Sequence, residues 1–180
     1  MGIVPPPEAV RHLGAVVDAL HVTAAGARLA ARDRWHVTVV FLGEAPIERS
    51  GAAVRRAAEG TGPFQLRFAG GGTFGRGTST ILWSGVDGDV AALRSLSTGV
   101  RVGLRRARLP FDRKPLRPHL TISRPGAKVP PDAVKADAAE LAGYVGPLWT
   151  VPAVHLVASE IEQTATGPSP RYTTLLEIGL

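Results

Sequence analysis

The chain has 180 residues, 44% of them hydrophobic, a formal net charge of +6 and no cysteine. That length sustains one substantial core, and the lack of cysteine removes disulfide frameworks, thiolate nucleophiles and cysteine-bound zinc. No apolar run approaches the roughly 18 residues of a membrane span, and Met1 to Pro7 lacks the layout of a signal peptide, so a monomeric cytoplasmic protein with a single domain over 1–180 is expected. Arginine outnumbers lysine, which suits bidentate contacts to phosphate, although charge alone assigns no function.

Pro5-Pro6-Pro7-Glu8 sets prolines and an acid at a helix start, and Val10, Leu13, Val16, Val17 and Leu20 follow at helical spacing, predicting a helix over 8–20. Arg34 to Leu42 is dense in β-branched and aromatic residues and stops at Gly43, predicting a strand with His36 and Thr38 inside it. A helix is expected over 46–59 and a half-exposed strand over 64–68. Residues Gly70 to Gly77 are too rich in glycine for regular structure and read as a flexible loop before a strand over 80–86. Asp87 or Asp89 is placed to cap a helix carrying Val90, Leu93, Leu96, Val100 and Leu104, with Arg101, Arg105, Arg106 and Arg108 towards its C-terminal end. A strand over 116–123, a helix over 130–141 and strands over 151–161 and 172–178 complete the chain. A strand-helix-strand grouping thus surrounds each of two His-x-Thr triplets, which points to an α+β fold of two similar lobes.

Successive strand side chains point to opposite faces, so the imidazole and hydroxyl of His-x-Thr project together. In His36-Val37-Thr38, the residues Val37, Val39 and Phe41 would face the core. In His119-Leu120-Thr121, Leu120 and Ile122 would oppose His119, Thr121 and Ser123. If the two strands lie side by side, two histidines and two threonines meet at one cavity. One imidazole can then accept a proton from an attacking water while the other protonates the departing ribose oxygen, and the hydroxyls can hold the phosphate.

Neither triplet is decisive alone. His21-Val22-Thr23 is a third match, but it follows a helix and precedes Ala24-Ala25-Gly26, and it reads as coincidence. His12 lies on the first helix, and His155 stands beside no other ionisable group; both read as structural. No His-x-x-x-His or comparable cluster suggests a metal, no Gly-x-Ser-x-Gly elbow suggests a serine hydrolase, and the glycine run lacks the Lys-Ser/Thr of a P-loop. No metal or cofactor is expected.

Trp35-His36-Val37-Thr38-Val39-Val40-Phe41-Leu42-Gly43-Glu44 and Arg117-Pro118-His119-Leu120-Thr121-Ile122-Ser123-Arg124 resemble the two motifs of the RNA 2',3'-cyclic phosphodiesterases, also called bacterial 2'-5' RNA ligases, of the two-histidine phosphoesterase superfamily. Gly72-Thr73-Phe74 with Ile81 to Val86, and Val154 to Glu160 with Tyr172 to Leu180, resemble that family's linking and closing strands, so nearly the whole chain is covered. The resemblance implies a LigT-like bilobal α+β fold with antiparallel-sheet lobes, helices packed outside and a central cleft. It also implies metal-independent opening of RNA or nucleotide 2',3'-cyclic phosphates to 2'-phosphates and, in some members, 2'-5' joining of RNA ends. Position by position, His36 would donate a proton and His119 accept one, Thr38 and Thr121 would hold the phosphate, and Arg124 would assist. The chain departs from the family at its start, where only Ile3-Val4 remain of a longer apolar edge strand. It departs again at 75–80, where only Arg76 is basic. Two other readings are weighed: the same site acting on another cyclic phosphate or a 2'-5' oligonucleotide, and a non-catalytic module that binds RNA ends.

Overall fold

A computed structural model describes residues 1–127, 129–164 and 167–180. In chain order the elements are β1 (Gly2–Ile3), α1 (Pro7–Asp18), α2 (His21–Ala24), β2 (Arg28–Leu29), β3 (Val37–Thr38), α3 (Ile47–Glu59), β4 (Phe64–Phe74), β5 (Ile81–Gly88), α4 (Val90–Arg106), β6 (His119–Arg124), α5 (Pro131–Ala142), β7 (Trp149–Val151), β8 (Ala153–Thr164) and β9 (Gly167–Gly179). They build two antiparallel sheets, ordered β3-β1-β8-β9 and β2-β6-β5-β4-β7. The fold is α+β and bilobal. α3 lies on the first sheet through β9 and packs on α4, while α5 lies on β4 and β5 of the second.

Three helices start for a local reason. Pro7 and Pro131 open α1 and α5, where a missing N–H costs nothing, and the Asp89 carboxylate accepts from the Ala92 amide at 2.9 Å to cap α4. α4 buries Leu93, Leu96, Val100 and Leu104 along one stripe. Ile3, Val37 and Val154 form the core side of the first sheet, and Leu66, Phe68, Leu82, Leu120 and Ile122 that of the second; all are essentially inaccessible to solvent.

Several expectations change here. β1 is no remnant at an edge: it pairs with β3 on one side and β8 on the other, and so holds the first sheet together. The glycine run is not a loop until Gly75, because β4 continues through Gly70, Gly71 and Gly72 to Phe74. Its ladder with β5 shifts between Phe68 and Gly71, with Gly70 at φ 68°, a conformation glycine adopts without penalty. A Cβ on Gly71 would sit 2.5 Å from the Leu141 Cβ and 2.8 Å from the Trp83 carbonyl oxygen. Glycine is therefore the condition for α5 to close on this sheet.

Phe41 does not face the core. The first triplet's strand ends at Thr38, and the Met1 carbonyl accepts from both the Val39 and Val40 amides at 3.0 and 3.3 Å, which breaks the alternation. Val40 and Leu42 turn inward instead, and Phe41 is left 64% exposed.

Candidate active site

His36 lies one residue before β3 rather than inside it. The preceding Trp35 is buried and its indole N–H donates to the Ala30 carbonyl at 3.0 Å, which fixes the approach of the chain. The register Gly2↔Thr38 and Ile3↔Val37 sends Val37 into the core and Thr38 to the other face. A Cβ at Gly2 would meet His36 Cδ2 at 3.4 Å, so the imidazole lies close over a strand position with no side chain.

The second triplet opens β6, in register Gly85↔His119, Ser84↔Leu120 and Trp83↔Thr121, so here a glycine lies directly opposite the histidine. The ladder then shifts, so that Leu82 pairs with Ser123. Paired residues share a face, so Ser123 joins Leu82 in the core rather than His119 and Thr121, and its hydroxyl donates to the Arg28 carbonyl at 3.2 Å. The same bulge returns the next residue, Arg124, to the face of His119 and Thr121, where it stands exposed across from Arg28 of β2.

The two histidines are held alike. His36 Nδ1 lies 2.9 Å from the Arg34 carbonyl oxygen, and His119 Nδ1 lies 2.6 Å from that of Arg117. A carbonyl only accepts, so each Nδ1 carries the hydrogen and each Nε2 is left to face a ligand. Each ring also meets an aromatic edge-on, Tyr172 for His36 and Phe74 for His119, both with centroids 4.9 Å apart. Neither the Thr38 nor the Thr121 hydroxyl has a hydrogen-bond partner among the described residues.

β3 and β6 belong to different sheets yet run against each other, with Cα atoms within 8 Å. Thr38 and His119 consequently line one cavity of about 710 Å³, whose wall continues through Phe41, Phe74, Arg101, Lys114 and Arg117. His36 titrates below its ordinary range, first because burial disfavours its charged form. The Arg34 carbonyl opposes that effect, and the positive charges of the first amino group and of His119 reinforce it. That His119 exerts such an effect places the two imidazoles in one electrostatic neighbourhood. His36, Thr121 and Arg124 are not among the residues that line this cavity.

The remaining histidines have other partners. His21 begins the short helix α2, and its ring and backbone N–H reach the buried Asp137 carboxylate at 2.7 and 2.8 Å. His12 Nδ1 meets the Tyr144 hydroxyl at 2.9 Å. His155 does have an ionisable neighbour, since Glu177 stands opposite it on β9 with 3.5 Å between Nε2 and Oε2. Among the described residues, no three His, Asp or Glu side chains gather in a way that could hold a metal ion, and no helix is long and apolar enough to cross a membrane. Sequence reasoning assigned no place in the site to Tyr172 or Phe74, and read Arg101 only as a cation towards the end of its helix. The only trace of the first two was their place in strands that resemble the family's, since contacts across sheets leave no local pattern.

Residues 5–161 match the model of the 2'-5' RNA ligase superfamily. An RNA 2',3'-cyclic phosphodiesterase of Geobacillus stearothermophilus is 32% identical over 148 residues, which is 78% of this chain and 44% of that protein. The chain thus spans less than half the length of that relative. An RNA 2',3'-cyclic phosphodiesterase of Thermus thermophilus is 30% identical over 156 residues, 81% of this chain and 71% of the relative. The crystal structure of Escherichia coli LigT in apo form superposes with a TM-score of 0.73 at 21% identity, covering 99% of this chain and 94% of that one, and shares the fold. With its two triplets inside the matched span and its architecture shared end to end, the chain belongs to the 2'-5' RNA ligase superfamily.

Proposed function

We propose that this protein opens RNA 2',3'-cyclic phosphate ends to 2'-phosphates without a metal, with His119 taking a proton from the attacking water and His36 giving one to the leaving ribose oxygen. The observation that carries the reading is the matched pair of imidazoles, each with Nδ1 tied to the carbonyl two residues before it and Nε2 left for a ligand. The names of the two relatives at 32% and 30% identity agree with it.

In the reaction the water oxygen attacks phosphorus and the bond from phosphorus to O3' breaks, leaving the phosphate on O2'. His119 Nε2 takes the proton of the water, and His36 Nε2, charged, supplies one to O3'. Thr38 and Thr121 donate to the non-bridging oxygens as charge builds there, and Arg124, carried to the same face by the bulge, assists with its positive charge. If the 5'-hydroxyl of another RNA replaces water, the same transfers form a 2'-5' linkage, so joining needs no further group.

The test is to treat the protein with EDTA, supply a nucleoside 2',3'-cyclic phosphate and identify the product. A 2'-phosphate is expected, and either no opening or a 3'-phosphate would overturn the reading.

A further inference from the structure

The cavity that begins at Thr38 and His119 extends well past the place of a single phosphate, and its far wall is cationic. Arg101 projects from α4 one turn beyond Ser97, whose hydroxyl donates to the Val39 carbonyl at 3.2 Å. Val39 directly follows Thr38, and Arg101, one helical turn along α4 from Ser97, lines the same cavity as both. Its Nε is shut off from solvent and finds no acceptor among the described residues, although a buried donor of this kind is costly to leave unmade.

Two further cations face the same space. Lys114 and Arg117 line the cavity, and neither side chain forms an ion pair among the described residues; Arg117 lies 6.0 Å from the centroid of the Phe74 ring. The one carboxylate on this wall, Asp112, accepts from the Lys114 amide at 2.9 Å and leaves the balance positive. At the rim stands Phe41, 64% exposed, an aromatic face in an otherwise well-buried segment.

From these features we infer a second phosphate subsite formed by Arg101, Lys114 and Arg117, which takes the phosphodiester on the 5' side of the reacting nucleotide, with Phe41 offering the nucleoside a stacking surface. The inference rests on the proposed reaction at His36 and His119 and names the class of substrate: an RNA chain end, in preference to a free cyclic mononucleotide. Arginine suits the role because its fork contacts two phosphate oxygens at once.

The experiment compares kcat/KM for adenosine 2',3'-cyclic phosphate with that for the dinucleotide ApA ending in a 2',3'-cyclic phosphate. The wild type should prefer the dinucleotide at least tenfold. Arg101→Gln should collapse that preference to within about twofold, whereas Arg106→Gln, exposed on a different face of the same helix, should keep it. Lys114→Gln, on an exposed loop, should lower it by a smaller factor and serves if Arg101→Gln fails to fold. An equal preference in wild type and Arg101→Gln, or no preference in the wild type, overturns the subsite.

Calorimetric binding of ApA carrying a terminal 2'-phosphate against adenosine 2'-phosphate repeats the comparison without turnover. If neither cyclic substrate is opened but the dinucleotide product still binds more tightly and Arg101→Gln abolishes the difference, the reaction fails and the subsite stands. If both substrates are opened with equal efficiency, the reaction stands and the subsite fails.

Discussion

The two halves of the site share one construction and differ in surroundings. His36 and His119 both donate Nδ1–H to the carbonyl two residues back, both lie close to a glycine of the neighbouring strand, and both meet an aromatic edge. Yet His36 is pressed against Tyr172 and the start of the chain, and burial lowers its affinity for a proton, whereas His119 opens onto the cavity wall with Phe74, Arg117 and Lys114. Two near-copies of one motif thus sit in different surroundings, the first enclosed by the start of the chain and Tyr172 and the second on the cavity wall.

Removing either imaginary half should be felt most at the imidazoles. His36→Ala and His119→Ala are each expected to lower kcat by roughly 10³-fold, the range of a lost acid or base, with thermal unfolding checking that the fold survives. Similar losses support the comparison; a loss at one position alone would show that the other half only binds. Next in size come Thr38→Val and Thr121→Val, each expected to cost roughly 10²-fold in kcat through loss of a donor to the charged phosphate oxygens. A larger rise in KM than fall in kcat would assign that hydroxyl to ground-state binding instead.

Much of this was legible in the chain. The helices announced themselves through proline starts, the Asp89 cap and apolar spacing, and each His-x-Thr was readable as a polar face on a strand. Other features had no local signal. β1, β2 and β7 are two or three residues long, too short to show a period, and β1 matters because of what it joins rather than what it contains. The strand through Gly70 to Gly72 defied strand propensity because helix α5 and Trp83 demand the missing side chains. The orientations of Phe41 and Ser123 were misread for a common reason. Strict alternation was extended past a strand end and past a bulge, and the cavity wall and the placement of Arg124 both arise at those two irregularities.

A subtler difference between the halves should appear in pH dependence. The kcat/KM profile reports groups of the free protein, and there His36 gives up its proton below the ordinary imidazole value of ~6.5. As the donor, His36 must be charged, so its depressed value governs the basic limb, and kcat/KM should already be falling by pH ~6.5, tenfold per unit beyond. A bound phosphate anion favours the charged form, so the same limb in kcat should move to higher pH. If the depressed value governs the acid limb instead, the roles are exchanged and His36 is the acceptor.

The smallest effect belongs to the third triplet, which tests whether sequence or setting makes the site. His21-Val22-Thr23 repeats the motif but starts a four-residue helix, and the buried Asp137 accepts from the His21 amide, the Val22 amide and the His21 ring at 2.8, 2.9 and 2.7 Å. The carboxylate thus holds both the backbone and the imidazole, whereas His36 and His119 are each held through Nδ1 by a backbone carbonyl. The His21 side chain is 63% exposed, so the ring contributes at most ~1 kcal/mol to stability. His21→Ala should therefore change kcat/KM by less than twofold and move the unfolding temperature only slightly. Asp137→Ala, by contrast, leaves two backbone donors unmet, costs about 1–3 kcal/mol and lowers that temperature visibly while kcat per folded molecule stays constant. A His21→Ala variant as impaired as His36→Ala would mean that the triplet itself, and not its place beside a cleft, carries the chemistry.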